Sequence, residues 1–188
     1  MWRLHELRLN QRGAAGDINV KKIYAAMLLS VLSGSAMGQD ALAPPAGERK
    51  LFEFSADGVQ IYVCKPKDVE AHKEQGLAWV FDAPDAVLFD ADGKQAGKHA
   101  KGPSWTLSDG SSVEAESSAK RPSPKPDSIP WLLLKVKSHQ GKGKLDAVNY
   151  IRRVDTDGGA EPTDSCDAVH NGETARIPYS ATYQFFGQ

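Results

Sequence analysis

The sequence predicts an all-β protein, a single-domain antiparallel β-sandwich or β-barrel with long loops. Three observations predict it. After residue 38 no segment repeats its apolar residues with the 3.6-residue period of a helix. Eight to ten short stretches alternate apolar and polar residues instead. Turn pairs such as Asp57-Gly58, Asp92-Gly93, Asp109-Gly110 and Gly102-Pro103 punctuate them.

The first 38 of the 188 residues read as a signal peptide with an upstream extension. Lys21 and Lys22 precede an apolar run at 23–31, and small residues lead to Ala36-Met37-Gly38 before Gln39. A charged start, a short apolar stretch and a small-residue cleavage site mark a secretory leader. The run is too short for a membrane span, which needs about 20 residues. The twenty residues before Lys21 lack any apolar pattern, and a start at Val20, read as an initiator, would leave a compact leader. Removing 1–38 leaves 150 residues with 18 basic and 22 acidic side chains, a net charge of −4. That balance argues against a nucleic-acid partner, which needs a basic face. The expected location is secreted or periplasmic.

Residues 39–49 are rich in Ala and Pro and read as a flexible lead-in, with the β-domain at 50–188. In 50–64, Phe52 and Phe54 alternate with Glu53, and Val59, Ile61 and Val63 alternate with Gln60 and Tyr62. Asp57-Gly58 between them predicts a hairpin that pairs Phe54 with Ile61 and Phe52 with Val63. Residues 66–75 are charged, a helical turn or a loop. A short strand at 77–81 is expected to end at Asp82-Ala83-Pro84, and a doubly buried one follows at 86–89. Residues 95–101 read as an exposed or edge strand.

Trp105 and Leu107 share a face, as do Val113 and Ala115. A three-residue loop with Gly110 in the left-handed conformation pairs Trp105 with Val113, whereas a two-residue turn would oppose it to Glu114; the first is preferred. Residues 119–130 carry four prolines and form a loop. The most apolar strand runs from Trp131 to His139, and a strand with Val148, Tyr150 and Val154 on one face follows. Residues 155–172 are a loop that could drape over the sheet, and Ile177, Tyr179, Ala181, Tyr183 and Phe185 mark one face of a closing strand.

Both cysteines, Cys64 and Cys166, lie after the leader. An exported chain with two cysteines most simply joins them, closing a loop of roughly 100 residues. Free buried thiols or a reactive cysteine are the competing readings, and no C-x-x-C motif favours redox chemistry.

The phrases GVQIYVCKP, PDAVLFDADGKQAGKHAKGPSW, IPWLLLKVKSHQGKGKL, YIRRVDTDGG and IPYSATYQFF, in this order, resemble the DUF3455 family of exported bacterial and fungal proteins. The resemblance covers about residues 58–186. It implies export and a single domain, and it supplies no activity. Some fungal members carry a dehydrogenase label, but no G-x-G-x-x-G leads from a strand into a helix here.

Candidate chemistry is sparse. His99, His139 and His170 each sit near a glycine-containing turn, and with Asp167 they form a candidate metal set for a metal-assisted hydrolase. No H-x-H or H-E-x-x-H spacing supports it, and a histidine bonded to its own turn is the commoner arrangement. Trp79, Trp105 and Trp131 are candidates for an aromatic platform, with Trp105, Trp131 and His99 the candidate ligand-binding residues for a small molecule, glycan or envelope component. Core packing competes with that role for each tryptophan. Arg152 and Arg153 point to opposite faces of a strand, so one can be internal and paired with Asp155 or Asp167. No G-x-S-x-G elbow surrounds Ser104. The expected function is non-catalytic binding. Intact-mass and N-terminal analysis of the exported protein should give a chain beginning at Gln39; a chain retaining Lys21 and Lys22 would overturn the leader.

Overall fold

The computed structural model describes residues 40–67 and 76–188. The expected leader and most of the charged segment at 66–75, including His72, lie outside the described residues. Among the described residues eight strands occur: β1 (Arg49–Pro66), β2 (Leu77–Phe89), β3 (Gln95–Ala100), β4 (Ser104–Leu107), β5 (Ser112–Arg121), β6 (Trp131–Gln140), β7 (Tyr150–Gly158) and β8 (Thr174–Gly187). Each pairs antiparallel with the next, and β8 pairs with β1, so the sheet closes into a barrel. The β1–β2, β3–β4, β5–β6 and β7–β8 connections therefore lie at one end of this up-and-down barrel, and the other three connections at the opposite end.

Three strand expectations are corrected. Asp57-Gly58 is not a hairpin: β1 runs straight through it, paired with β2 on one edge and β8 on the other. A Cβ on Gly58 would collide with the Asp85 carbonyl and with Ala86, so glycine serves a close backbone approach rather than a turn. Asp82-Ala83-Pro84 does not break β2 either, because the register shift opposite Ile61 and Tyr62 absorbs Asp82 as a bulge. β3 is not an edge, since closure leaves the barrel without edges and β3 pairs with both β2 and β4.

Other elements form as their residues suggest. Asp92-Gly93 turns β2 into β3, with the Asp90 carboxylate accepting from the N–H groups of Asp92 and Lys94. Gly110, at φ 88°, closes a three-residue loop, and Trp105 pairs with Val113. In β8, Tyr179, Ala181, Tyr183 and Phe185 face the core. β7 differs: Ile151 and Arg153 point inward rather than Tyr150, and residues 144–147 form a short 3-10 turn.

The lumen is filled by side chains of alternating size. Ala56, Ala86, Ala115 and Ala181, with Gly58 and Gly97 beside them, leave room for the rings of Phe54, Trp105, Tyr179, Tyr183 and Phe185. Burying each large apolar side chain contributes about 1.5–3 kcal/mol. Leu145 and Val148 are buried beside the 3-10 turn at one end. That turn is stapled to the β4–β5 loop by Asp109, whose carboxylate accepts from Lys144 N and from both N–H and O–H of Ser111.

At the other end Ile129 packs into the core, held by Thr156, whose hydroxyl donates to the Ile129 carbonyl at 2.7 Å. Cys64 and Cys166 are joined, fixing the 159–173 segment to β1. A crosslink closing about 100 residues is worth up to about 4–5 kcal/mol. Residues 40–48, expected as a loose lead-in, bring Leu42 to 1% exposure on the barrel's outer side, and Asp40 reaches Arg121 and Arg152 at 3.6 and 3.9 Å.

The two roles of glycine separate experimentally. Gly58→Ala should lower the unfolding free energy by about 3 kcal/mol through collision with β2. Gly93→Ala, where space is open and only a left-handed φ of 74° opposes the change, should cost about 1 kcal/mol. Urea unfolding of both variants checks the order, and equal losses would overturn it.

Candidate functional site

The barrel geometry aims every second residue of β1, β3, β4, β7 and β8 into one lumen, and several of these are polar. Gln60, His99 and Arg153 are 2%, 3% and 9% exposed. Aromatic rings surround them. The His99 and Trp105 rings stack at 4.3 Å and 14°, and Tyr183 packs edge-on to both, at 5.0 and 5.5 Å. The Tyr183 and Tyr179 hydroxyls lie 3.4 Å apart, and Tyr62 donates to the Gly159 carbonyl at 2.7 Å. Gly159, just after β7, lies against Gln60 and Tyr179, where a Cβ would collide with both side chains.

Hydrogen bonding leaves this cluster with unused groups. Trp105 Nε1 is a buried donor without a partner among the described residues; Gln60 Nε2 makes no close hydrogen bond, but the Gln60 amide lies against the Tyr179 hydroxyl. Arg153 donates through Nε and Nη2 to the Pro130 carbonyl, at 3.1 and 2.8 Å, and no carboxylate of the described residues lies within ion-pair distance of it. His99 Nδ1 lies 2.9 Å from the Ser104 carbonyl. A carbonyl can only accept, so Nδ1 carries the proton and Nε2 keeps a lone pair.

The titration behaviour follows from burial. Desolvation drives the His99 pKa down to about 3, opposed by the Ser104 hydrogen bond and assisted by the Arg153 charge. Burial likewise pushes Tyr179 well above its ordinary value, with Tyr183 adding to the rise. Tyr62 is raised by burial and by the exposed Glu161, against the pull of Arg153. Arg153 thus remains the one buried side chain with a formal charge at neutral pH among the described residues.

The candidate residues disperse. Trp105 is fully buried in the core, so its ring offers no surface for a glycan. Trp131 is half-buried on the outer side, under the Arg121 guanidinium at 4.9 Å, and lines a groove of about 220 Å³ with Leu42, Arg152 and Asp155. Trp79 donates to the Asp164 carbonyl. The three make no common platform.

The metal set fails to assemble. His139 lies at the β6–β7 end, with Nε2 2.8 Å from the Val148 carbonyl. Through the pairings His99–Trp105–Val113–His139, it sits three strands from His99, about 14 Å along the sheet. His170 and Asp167 pair at 2.8 Å in the β7–β8 connection, a hydrogen bond that raises the former's pKa and lowers the latter's. Among the described residues no three His, Cys, Asp or Glu side chains are placed to hold a metal.

Gln60, Arg153 and the tyrosines escape a reading from the sequence. Gln60 stands between Val59 and Ile61, which alternation assigns to the core, yet β1 turns its even-numbered residues inward. The usable signal was Cys64, which shares the parity of Gln60 and Tyr62. Arg153 was legible as an internal arginine, but its partner is a carbonyl rather than Asp155 or Asp167.

Fold and lumen together define a disulfide-pinned, closed up-and-down β-barrel with a mixed aromatic and polar interior. The chain belongs to the family described as Protein of unknown function (DUF3455), whose model matches residues 45–187. No curated protein and no solved structure matches it.

Below about pH 6.5 the unfolded chain protonates His99 while the folded state resists until about pH 3. The unfolded state then binds more protons, so stability falls as pH drops through that window. Between pH 7 and pH 4 the native protein should lose about 3 kcal/mol more than His99→Phe, read from urea unfolding at both pH values. An equal loss would place His99 outside this linkage.

Proposed function

We propose that the protein is a non-catalytic binding barrel that takes a small molecule in the outer groove beside Trp131. The observation that carries this reading is the groove of about 220 Å³ in which half-buried Trp131 lies with Leu42, Arg152 and Asp155. Ligand sites of this kind combine aromatic walls with a few convergent polar groups. The described residues favour binding over hydrolysis, because the candidate metal ligands lie on separate elements and His99 is buried against Trp105 in the core.

The Cys64–Cys166 disulfide supports a working place in an oxidising compartment, outside the cell or in the periplasm. Among the described residues no helix is long and apolar enough to cross a membrane.

Mass spectrometry under non-denaturing conditions tests the binding role on protein purified without unfolding. The expected result is a mass excess that disappears on denaturation, together with one-to-one enhancement of the neutral dye N-phenyl-1-naphthylamine by the emptied protein. A bare chain mass and no dye enhancement would overturn it.

A further inference from the structure

One wall of the outer groove is a carboxylate that regular strand geometry would not put there. Along β7, Val154 pairs with Thr182 and Asp157 with Ser180, so Asp155 and Thr156 together oppose the single residue Ala181. That arrangement is a β-bulge, a device that re-aims a side chain. Strict alternation after Arg153 would turn Asp155 into the lumen. Thr156 takes that place instead, fully buried with its hydroxyl on the Ile129 carbonyl, and Asp155 comes out on the groove. Its φ of 51° lies in the left-handed region, where Asp127 is the one other non-glycine among the described residues. Glycine meets that backbone demand at lower cost, so the carboxylate itself calls for a use. None of the ion pairs among the described residues includes Asp155.

The rest of the groove is already balanced. Arg152 donates through Nε to Gln184 Oε1 at 2.9 Å, and its Nη1 lies 3.9 Å from Asp40. Arg121 lies over the Trp131 ring and 3.6 Å from Asp40. The acids Asp40 and Asp155 thus offset Arg121 and Arg152, and Trp131 and Leu42 supply apolar surface between them.

We infer that the molecule taken by this groove is a neutral sugar, one pyranose ring or the end of a chain, with adjacent hydroxyls donating to Asp155 and its C–H face against Trp131. The inference rests on the proposed binding role and adds the ligand's chemical class. A carboxylate only accepts and a guanidinium only donates, whereas a hydroxyl does both. Neighbouring hydroxyls therefore satisfy Asp155 and Arg152 together without bringing a charge. The indole suits the apolar face of such a ring. A groove of about 220 Å³ is smaller than the about 300–1,000 Å³ of pockets for drug-sized ligands, which limits the occupant to a ring or so. A zwitterion such as an amino acid is the competitor, and its carboxylate would have to take Arg152 from Gln184 and Asp40.

Calorimetry and saturation-transfer NMR on the full disulfide-bonded protein test the inference. The probes are methyl β-D-glucopyranoside, methyl β-D-galactopyranoside and methyl α-D-mannopyranoside, with cyclohexanol as a ring lacking adjacent hydroxyls and L-leucine as a zwitterion. At least one glycoside should bind where cyclohexanol and L-leucine do not. Asp155→Asn should weaken it at least about tenfold. Asp155→Gly should do the same with Tm unchanged or raised, because glycine suits a φ of 51°. Glycoside binding that survives both variants, or that either control matches, would overturn the inference. A lower Tm in Asp155→Gly would show that the aspartate serves the fold and would overturn it as well. Failure of all three glycosides would remove the sugar while a mass excess on the native protein kept the binding role, and a bare chain mass without dye enhancement would remove both.

Discussion

Closure of the sheet depends on β1 being hydrogen-bonded along both edges. From residue 49 to 63 it pairs with β8, and from 55 to 66 with β2. Had the chain turned at Asp57-Gly58, the first and last strands would have had no long partner to meet across. The sheet would then have kept two open edges and the lumen would not exist. The absence of a side chain at Gly58 lets β2 approach closely enough for one strand to serve both neighbours. Interior burial, the end plugs and the polar cluster all follow from that single continuous strand.

Closure also decides which polar groups pay a desolvation cost. In an open sheet Gln60 and Arg153 could reach water from a rim. In a barrel they share one low-dielectric space with His99. Burial, with the Arg153 charge assisting, holds His99 neutral. The two tyrosine hydroxyls meet each other because water is excluded from around them.

Much of the fold could be read from local chemistry. The Trp105–Val113 register followed from loop length, and the Cys64–Cys166 pairing from the presence of two cysteines. The closing strand followed from clean alternation. The same Asp-Gly dipeptide, however, stands at four places and closes a hairpin at only two, Asp157-Gly158 being the end of β7. At Asp92-Gly93, Asp90 caps the turn, and at Asp109-Gly110 the Asp109 carboxylate does so. At Asp57-Gly58 no side chain caps the backbone, and Ser55 reaches across to the Phe89 carbonyl instead. The buried polar cluster was less legible because its members come from five strands, and local alternation near Gln60 pointed the wrong way. A buried glutamine flanked by valine and isoleucine can be recognised only when the long-range pairing of its strand is known.

The disulfide has a mechanical consequence. Arg49 and Gly187 are registered neighbours, so tension applied to the two ends of the barrel peels β1 from β8 one rung at a time. Such an unzipping geometry resists weakly at first. The peel then meets the Cys64–Cys166 link, which encloses β2 to β7 in a covalent ring with a sequence separation of 102. About 350 Å of contour, at roughly 3.4 Å per residue, stays hidden from the pulling force. The protein therefore surrenders its outermost seam to stretching while six strands remain beyond the reach of the load.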